Sequence, residues 1–127
     1  MMKQVITTPK APQAIGAYSQ AIKVENVVYF SGQIPLDPQT MQLISNDPAQ
    51  QIRQMIENLA AVAQAAGGDL SHIVKLTVYL TDMVHYPLVN QLLEELWPRP
   101  FPARSVIGVN ALPKNALIEA DAIMQLI

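Results

Sequence analysis

The segment 47–68 constrains the fold most, because it contains the start, the apolar stripe and the end of one amphipathic helix. Asp47 is a natural N-cap, and Pro48 suits the first helical position, where its missing N–H costs nothing. Gly67 and Gly68 supply the glycine that commonly ends a helix. Apolar residues recur between these signals at three- and four-residue spacing: Ile52, Met55, Ile56, Leu59, Val62, Ala63 and Ala66. We predict a helix over 48–66 with one face packed on a core.

The rest of the chain alternates in the manner of strands, with one further helix. We predict strands at 3–7, 18–24, 27–32, 72–81, 103–109 and 117–126. A second helix is predicted over roughly 84–96, with Asp82 near its start, Pro87 in its first turn and Trp97 after its end. The predicted order is β-β-β-α-β-α-β-β, which indicates a single α+β domain over residues 1–127.

Two helices can cover only one face of such a sheet. The alternation in the fourth strand places Val74, Leu76, Val78 and Leu80 on one face and Lys75, Thr77 and Tyr79 on the other. In the last strand the apolar face is Ile118, Ala120, Ala122, Met124 and Leu126, and the opposite, half-apolar face is Leu117, Glu119, Asp121, Ile123 and Gln125. Only 14% of the residues are charged, against ~25% in a typical soluble domain. We therefore expect the uncovered faces of several copies to meet around a symmetry axis.

Composition argues against several classes of protein. The net charge is −2 and the eight basic residues form no cluster, whereas a nucleic-acid binder usually carries a basic stripe. We expect no membrane segment, because the apolar runs are far shorter than ~18 residues, and we see no signal peptide. The absence of cysteine suits a cytoplasmic protein and removes thiolate chemistry. His72 and His85 lack ligand-like spacing, so we expect no metal site.

Arg104 and Glu119 are the residues best suited to chemistry. Arg104 follows the apolar residues 101–103 (FPA), and its guanidinium offers a planar fork to a carboxylate or phosphate. Glu119 lies in an otherwise apolar strand, where burial would raise its pKa and suit it to proton transfer. The alternative interpretation is a structural ion pair between Arg104 and either Glu119 or Asp121. The residues alone leave both interpretations open.

Four stretches in this order resemble the RidA imine deaminase family of YjgF-type proteins. They are 14–20 (AIGAYSQ), 31–35 (SGQIP), 101–105 (FPARS), and 112–114 (LPK) followed by Ile118 and Glu119. Gln51, Asn58 and the strand around Lys75 also fit, so that the resemblance covers essentially the whole chain. The resemblance implies a chorismate-mutase-like α+β fold with a six-stranded mixed sheet and two helices on one face. It also implies a homotrimer with clefts between its subunits.

The same resemblance implies hydrolysis of 2-iminobutanoate and 2-iminopropanoate, the reactive products of threonine and serine dehydratases, without a cofactor. By that resemblance Arg104 holds the substrate carboxylate and Glu119 is linked to the water. Four further residues would line the cleft: Tyr18, Ser31, Gly32 and Val106.

Three positions depart from the family's usual pattern. Ala17 replaces a common proline, which we expect to loosen the loop that carries Tyr18. Val106 replaces a common cysteine, which removes any role for a thiol but leaves the backbone contacts. Met41 replaces a common glycine, and we expect this change to affect only its hairpin.

Two other functions remain open on the sequence alone. A non-catalytic module that binds 2-keto acids or other small carboxylates would use Arg104 but tolerate Glu119→Gln. Ribonuclease activity has also been attached to the family, and the net charge of −2 argues against it.

Overall fold

A computed structural model describes residues 2–127. Its six strands are β1 (Gln4–Ile6), β2 (Ala21–Val24), β3 (Val27–Gln33), β4 (Ile73–Leu80), β5 (Ala103–Gly108) and β6 (Ile118–Gln125). Its two helices are α1 (Pro48–Ala65) and α2 (Tyr86–Leu96). The strands form one sheet in the order β1-β2-β3-β6-β4-β5, in which β4 and β5 are parallel and the other neighbours are antiparallel. The predicted element order and the mixed six-stranded sheet are confirmed.

The core lies between the two helices and one face of the sheet. In β6 every second residue is buried: Ile118, Ala120, Ala122 and Met124. The stripe of α1 and the inner side of α2 pack in the same hydrophobic cluster, with Leu59, Val62 and Val89 fully buried. Burial of large aliphatic side chains stabilises a fold by about 1.5–3 kcal/mol each relative to exposure. The alternation of β6 and the apolar stripe of α1 therefore determine which face of the sheet packs against the helices.

Local signals explain the limits of α1. The Asp47 carboxylate accepts a hydrogen bond from the backbone N–H of Gln50 (3.0 Å), as an N-cap should. At the other end Gly67 adopts φ +98°, and the N–H of Gly68 donates to the carbonyl of Ala63 (3.0 Å). This is the Schellman arrangement, in which a left-handed residue closes the last turn.

Several element ends differ from the prediction. Residues 18–20 belong to a loop and not to β2, which begins at Ala21. The α-helix over 84–96 begins only at Tyr86, because residues 83–85 form a single 3-10 turn. Asp82 caps this turn by accepting from the N–H of Val84 (3.0 Å).

The predicted face of β4 is wrong at one residue. Val74 is 49% exposed, whereas Ile73 is 3% exposed and joins Leu76 in the core. The pairing of β4 with β6 shifts register between Ile73 and Lys75, so that one residue is added and the alternation changes phase.

The face of the sheet away from the helices, here called the open face, carries apolar side chains that are exposed in the single protomer. Register partners across four strands place Val5, Ile22, Tyr29 and Ile123 in one row. Val5 is 59% exposed and Tyr29 is 50% exposed.

No helix within residues 2–127 is long and apolar enough to cross a membrane.

Candidate functional site

The two candidate catalytic residues lie on different faces of the sheet. Arg104 is the register partner of Leu76, whose side chain is buried under the helices. Glu119 is the register partner of Tyr79, on the open face. Because register partners point to the same face, Arg104 and Glu119 point away from each other. Asp121 has the same parity as Glu119, so the ion pair considered from the sequence is wrong for both carboxylates within one protomer.

Arg104 is bound instead by a tyrosine. Its Nη2 donates a hydrogen bond to the hydroxyl of Tyr86 (3.1 Å), and its guanidinium carbon lies 5.7 Å from the centroid of the same ring. None of the ion pairs within residues 2–127 includes Arg104. Arg104 therefore contacts a neutral ring and a hydroxyl and has no described carboxylate within ion-pair distance, which leaves its charge available to an anion.

A cavity adjoins Arg104 between α2 and the segment that leads into β5. Its volume is about 470 Å³, and its wall includes Asn90, Leu93, Trp97, Phe101 and Arg104. Trp97 is buried, and among the described residues its indole N–H has no acceptor. The wall also includes one carboxylate, Glu94, which lies 3.7 Å from Arg99 in an exposed ion pair. Apolar side chains with a few hydrogen-bond donors and an arginine are the composition of a site for a small organic anion.

Val106 lies two residues beyond Arg104 on the same face. It is half-buried and packs against the hydrophobic core. Its side chain therefore serves as a wall of fixed shape and brings no titratable group to the strand.

Glu119 lies beside an irregularity in β3 that the sequence analysis missed. Phe30 pairs with Ala122 and Gln33 with Ala120, so that two residues, Ser31 and Gly32, oppose Asp121 alone. This is a β-bulge, a feature that often re-aims side chains next to active sites. A glycine inside a strand pattern, as at Gly32, is the signal that points to one.

Gly32 makes room for the carboxylate of Glu119. A Cβ atom at Gly32 would lie 2.5 Å from Oε2 of Glu119 and 2.8 Å from its Cδ. Any larger residue would therefore displace the side chain of Glu119. The bulge and the glycine together hold the carboxylate against the backbone of β3.

Burial raises the pKa of Glu119, and the nearby carboxylate of Asp121 raises it further. Asp121 in turn accepts a hydrogen bond from the hydroxyl of Tyr79 (2.9 Å), which raises the pKa of that phenol. A carboxyl group whose pKa is raised is better suited than an ordinary one both to accept a proton and to return it. The expectation that burial perturbs Glu119 is confirmed, whereas its role in catalysis stays a prediction.

The remaining cleft residues lie near the bulge. The hydroxyl of Ser31 donates to the carbonyl of Ser19 (2.5 Å), and its N–H donates to the carbonyl of Gln20 (3.0 Å). Tyr18 precedes this contact in the loop and is 53% exposed; its hydroxyl accepts from the N–H of Ile15 (3.3 Å). The structure thus groups Ser31, Gly32 and Glu119 together and leaves Tyr18 as an exposed ring.

Gln20 organises the loop that leads to Tyr18, and the sequence analysis gave it no role. Its side chain is buried, accepts from the N–H of Thr8 (2.7 Å) and donates to the carbonyls of Thr8, Ala11 and Pro12. A buried amide with four backbone partners fixes loop geometry strongly. Its position at the end of the AIGAYSQ stretch is the only sequence signal for this role.

No ligand-like group of three or more His, Asp or Glu side chains occurs within residues 2–127. His72 contacts Asp69 instead, with Nδ1 3.4 Å from the carboxylate.

Known proteins resemble this chain along almost all of its length. A RutC family protein of Pyrococcus abyssi is 45% identical over 123 residues, which are 97% of both chains. The human 2-iminobutanoate/2-iminopropanoate deaminase is 42% identical over 97% of this chain and 90% of its own. The crystal structure of RidA from an Antarctic Psychrobacter superposes with a TM-score of 0.94 at 43% identity, covering 97% of this chain and 99% of the other.

The family model described as Endoribonuclease L-PSP matches residues 8–126, which include every candidate site residue. Relatives in this set carry different names, among them deaminase and putative endoribonuclease. The family name alone therefore does not fix the reaction. The extent of the match does fix the family, and the chain belongs to the Endoribonuclease L-PSP family, the family of the YjgF and RidA proteins.

Proposed function

We propose that this protein hydrolyses reactive 2-imino acids, 2-iminobutanoate and 2-iminopropanoate, to 2-keto acids and ammonia in the cytoplasm. The observation that carries the proposal is that the chain has two complementary groups. One is the guanidinium of Arg104, which has no ion-pair partner among the described residues, and the other is the carboxyl of Glu119, whose pKa is raised. An imino acid needs both functions, because it carries a carboxylate to be held and a C=N bond to be hydrated. Relatives at 42% identity that bear the name 2-iminobutanoate/2-iminopropanoate deaminase support the same reaction.

The site forms, in this proposal, between the subunits of a homotrimer. Arg104 and Glu119 point to opposite faces of one sheet, so one protomer cannot bring both to a single small substrate. A neighbour can supply the missing group where the open face of one subunit meets the edge of the next. The exposed apolar row around Tyr29 supports an assembly that covers this face.

The proposed reaction needs only one water. Arg104 binds the substrate carboxylate through charge-assisted hydrogen bonds and fixes the imine carbon. Glu119 of the adjoining subunit accepts a proton from the water as its oxygen attacks the carbon of the protonated imine, which gives a neutral carbinolamine. Glu119 then returns this proton to the nitrogen. The C–N bond breaks as the carbonyl forms, the carboxylate of Glu119 takes the hydroxyl proton, and this proton leaves with ammonia as ammonium. Imines hydrolyse in water unaided, so positioning and one proton shuttle suffice and no cofactor takes part.

The second candidate is a module that binds small carboxylates, such as 2-keto acids, without turning them over. One observation on the single protomer favours this function: Arg104 and its cavity offer an anion site that Glu119, on the opposite face of the sheet, does not reach. The two functions differ at Glu119, which a binding module does not need.

A coupled assay tests the proposal. A threonine dehydratase generates 2-iminobutanoate in the presence of semicarbazide, and semicarbazone formation reports the imine that escapes hydrolysis. We expect the wild type to suppress trapping and Arg104→Ala to restore it. Arg53→Ala is the control, because Arg53 is an exposed arginine whose ion-pair contact is a surface pair with Glu95 at 4.0 Å. A wild type that is folded and oligomeric but leaves trapping unchanged would favour the binding module.

Arg104→Ala removes charge-assisted hydrogen bonds worth about 1.5–3 kcal/mol each, so kcat/KM should fall at least about a hundredfold. Glu119→Gln should lower kcat while the affinity for 2-oxobutanoate, the product, stays close to that of the wild type. A Glu119→Gln protein with wild-type kcat would remove the proton shuttle from the proposal.

A further inference from the structure

Tyr86 is the residue that contacts the guanidinium of Arg104, and the sequence analysis gave it no role. Its hydroxyl oxygen lies 3.1 Å from Nη2 of Arg104, and its ring lies beneath the same guanidinium at 5.7 Å. One side chain therefore contacts Arg104 in two ways, by a hydrogen bond at its edge and by its ring. A phenylalanine could make only the second contact.

The direction of the hydrogen bond determines what the phenol can still do. A guanidinium has five N–H donors and no acceptor, so the hydroxyl of Tyr86 must accept the bond and cannot donate in it. Among residues 2–127 the hydroxyl donates to no acceptor. Tyr86 is 38% exposed, so its phenol proton is free to bind water or a ligand that displaces the water, next to the N–H donors that Arg104 has not used.

Two rigid elements hold the pair in place. Tyr86 is the first residue of α2, preceded by the 3-10 turn that Asp82 caps and followed by Pro87. Arg104 is fixed by the parallel pairing of β5 with β4, opposite Leu76. Neither side chain depends on a flexible loop for its position, so the arrangement exists before a ligand arrives.

We propose that Tyr86 is a second carboxylate-binding residue, which positions the guanidinium of Arg104 and donates its own O–H to the bound carboxylate. A carboxylate has about four lone-pair sites and accepts several donors at once. In this proposal two N–H groups of Arg104 and the O–H of Tyr86 satisfy three of these sites. This inference rests on the proposed role of Arg104 as the carboxylate clamp.

The effect should be on binding rather than on the chemical step, because the carboxylate does not change charge during the reaction. Tyr86→Phe keeps the ring over the guanidinium and removes only the hydroxyl. We expect the KM for 2-iminobutanoate and the Kd for 2-oxobutanoate to rise about tenfold, the factor for one hydrogen bond to a charged group. We expect kcat to change less than about twofold. Tyr86→Leu removes the ring as well and should weaken binding further.

Glu57→Gln is the control, since Glu57 is exposed on α1 and has no place in the proposed site or in the open face. Calorimetric titration with 2-oxobutanoate, steady-state kinetics, and thermal melts of all variants form the experiment. A rise of Kd and KM in Tyr86→Phe with unchanged kcat, mass and Tm supports the proposal. Wild-type Kd and KM in Tyr86→Phe, or equal losses in Glu57→Gln, would overturn it.

Failure of the proposed function gives a different result. If the wild type binds 2-oxobutanoate but does not hydrolyse imines, the proposed function is wrong, and the change of Kd in Tyr86→Phe still tests the role of Tyr86. If the wild type binds no 2-keto acid, both the clamp at Arg104 and the role of Tyr86 are wrong.

Discussion

Arg104 and Glu119 lie on opposite faces of one sheet, on β5 and β6, with β4 between them. Arg104 shares its face with the buried Leu76, and Glu119 shares its face with Tyr79. If both residues act on one substrate, the substrate must lie between two protomers. The proposed catalysis therefore depends on how the protomers assemble, and catalysis and assembly can be tested separately.

The raised pKa of Glu119 predicts a specific pH dependence of activity. Burial and the nearby Asp121 hold the pKa of this carboxyl above the ordinary value of about 4.3 for glutamate. Only the ionised form can accept a proton from water, so kcat/KM should fall with decreasing pH through this raised pKa. The rate profile of the wild type measured from pH 4 to 8 should show this acidic limb, and Glu119→Gln should lack it. A wild-type acidic limb at or below the ordinary pKa would contradict the assignment.

The same shift predicts how stability changes with pH. The folded state holds the proton of Glu119 more tightly than the unfolded state does, because its folded pKa is raised. The stability contributed by this group is therefore lost as pH rises from the ordinary pKa through the raised one. Glu119→Gln should melt at a higher temperature than the wild type at pH 7 and show a smaller difference at pH 4. Glu57→Gln, an exposed change on α1, should show no such divergence.

Gly32→Ala should disturb the site through one contact. Its Cβ would lie 2.5 Å from Oε2 of Glu119, and the backbone of Gly32 lies outside the left-handed region, so the strain comes from the contact alone. The clashing carboxylate is the end of a flexible side chain and can move at a small cost in stability, but displacement of the base by about 1 Å can lower the rate about a hundredfold.

A double-mutant cycle isolates this contact. Any destabilisation by Gly32→Ala in urea unfolding should be smaller in a Glu119→Ala background, where the clashing carboxylate is gone. Equal costs in both backgrounds would show that Gly32 is needed for another reason.

The open face predicts an assembly that one charge can disrupt. The wild type should have a mass of about three times the chain mass of 13.9 kDa. Tyr29→Lys places an ammonium group in the exposed apolar row and should lower this mass in light scattering, because an unpaired charge resists burial. Leu96→Lys, at the exposed end of α2, should leave it unchanged. A monomeric wild type at micromolar concentration would contradict the expected trimer.

Met41 is strained, and its replacement should stabilise the protein. It adopts φ 61° in the turn that follows Asp37, a conformation that costs a residue with Cβ about 1–2 kcal/mol. Met41→Gly should raise the free energy of unfolding by about 0.5–1 kcal/mol after the greater chain entropy of glycine is subtracted. Met41→Ala keeps the Cβ and should bring no such gain, which makes it the matched control.

Local patterns predicted most of the fold. The alternation in β6 and the capped stripe of α1 each carry their own signal, so their faces could be read without knowledge of neighbours. The exposure of Val74 and the bulge at Ser31 and Gly32 could not be predicted in this way. Both depend on the register with β6, which is fixed by strands far apart in the sequence. A one-residue shift in register exchanges the buried and exposed faces of a strand, and no residue pattern within β4 indicates this shift.

The site was predictable as residue types and not as an arrangement. The chemistry of Arg104 follows from its side chain and its apolar neighbours. Its partner Tyr86 lies eighteen residues earlier, at the start of α2, and meets it only because the helix crosses over between β4 and β5. The separation of Arg104 from Glu119 likewise depends on strand order, which the sequence does not state.

A mixing experiment tests the central claim, that each site takes Arg104 from one subunit and Glu119 from another. Arg104→Ala and Glu119→Gln proteins, each inactive alone, are unfolded together in equal amounts and refolded into mixed oligomers. If the site is shared, random assembly restores both intact groups at about a quarter of the sites, and the imine-trapping assay should recover about that share of wild-type activity. If the mixture stays as inactive as its components while forming mixed oligomers, Arg104 and Glu119 do not act together across an interface, and the shared site is wrong.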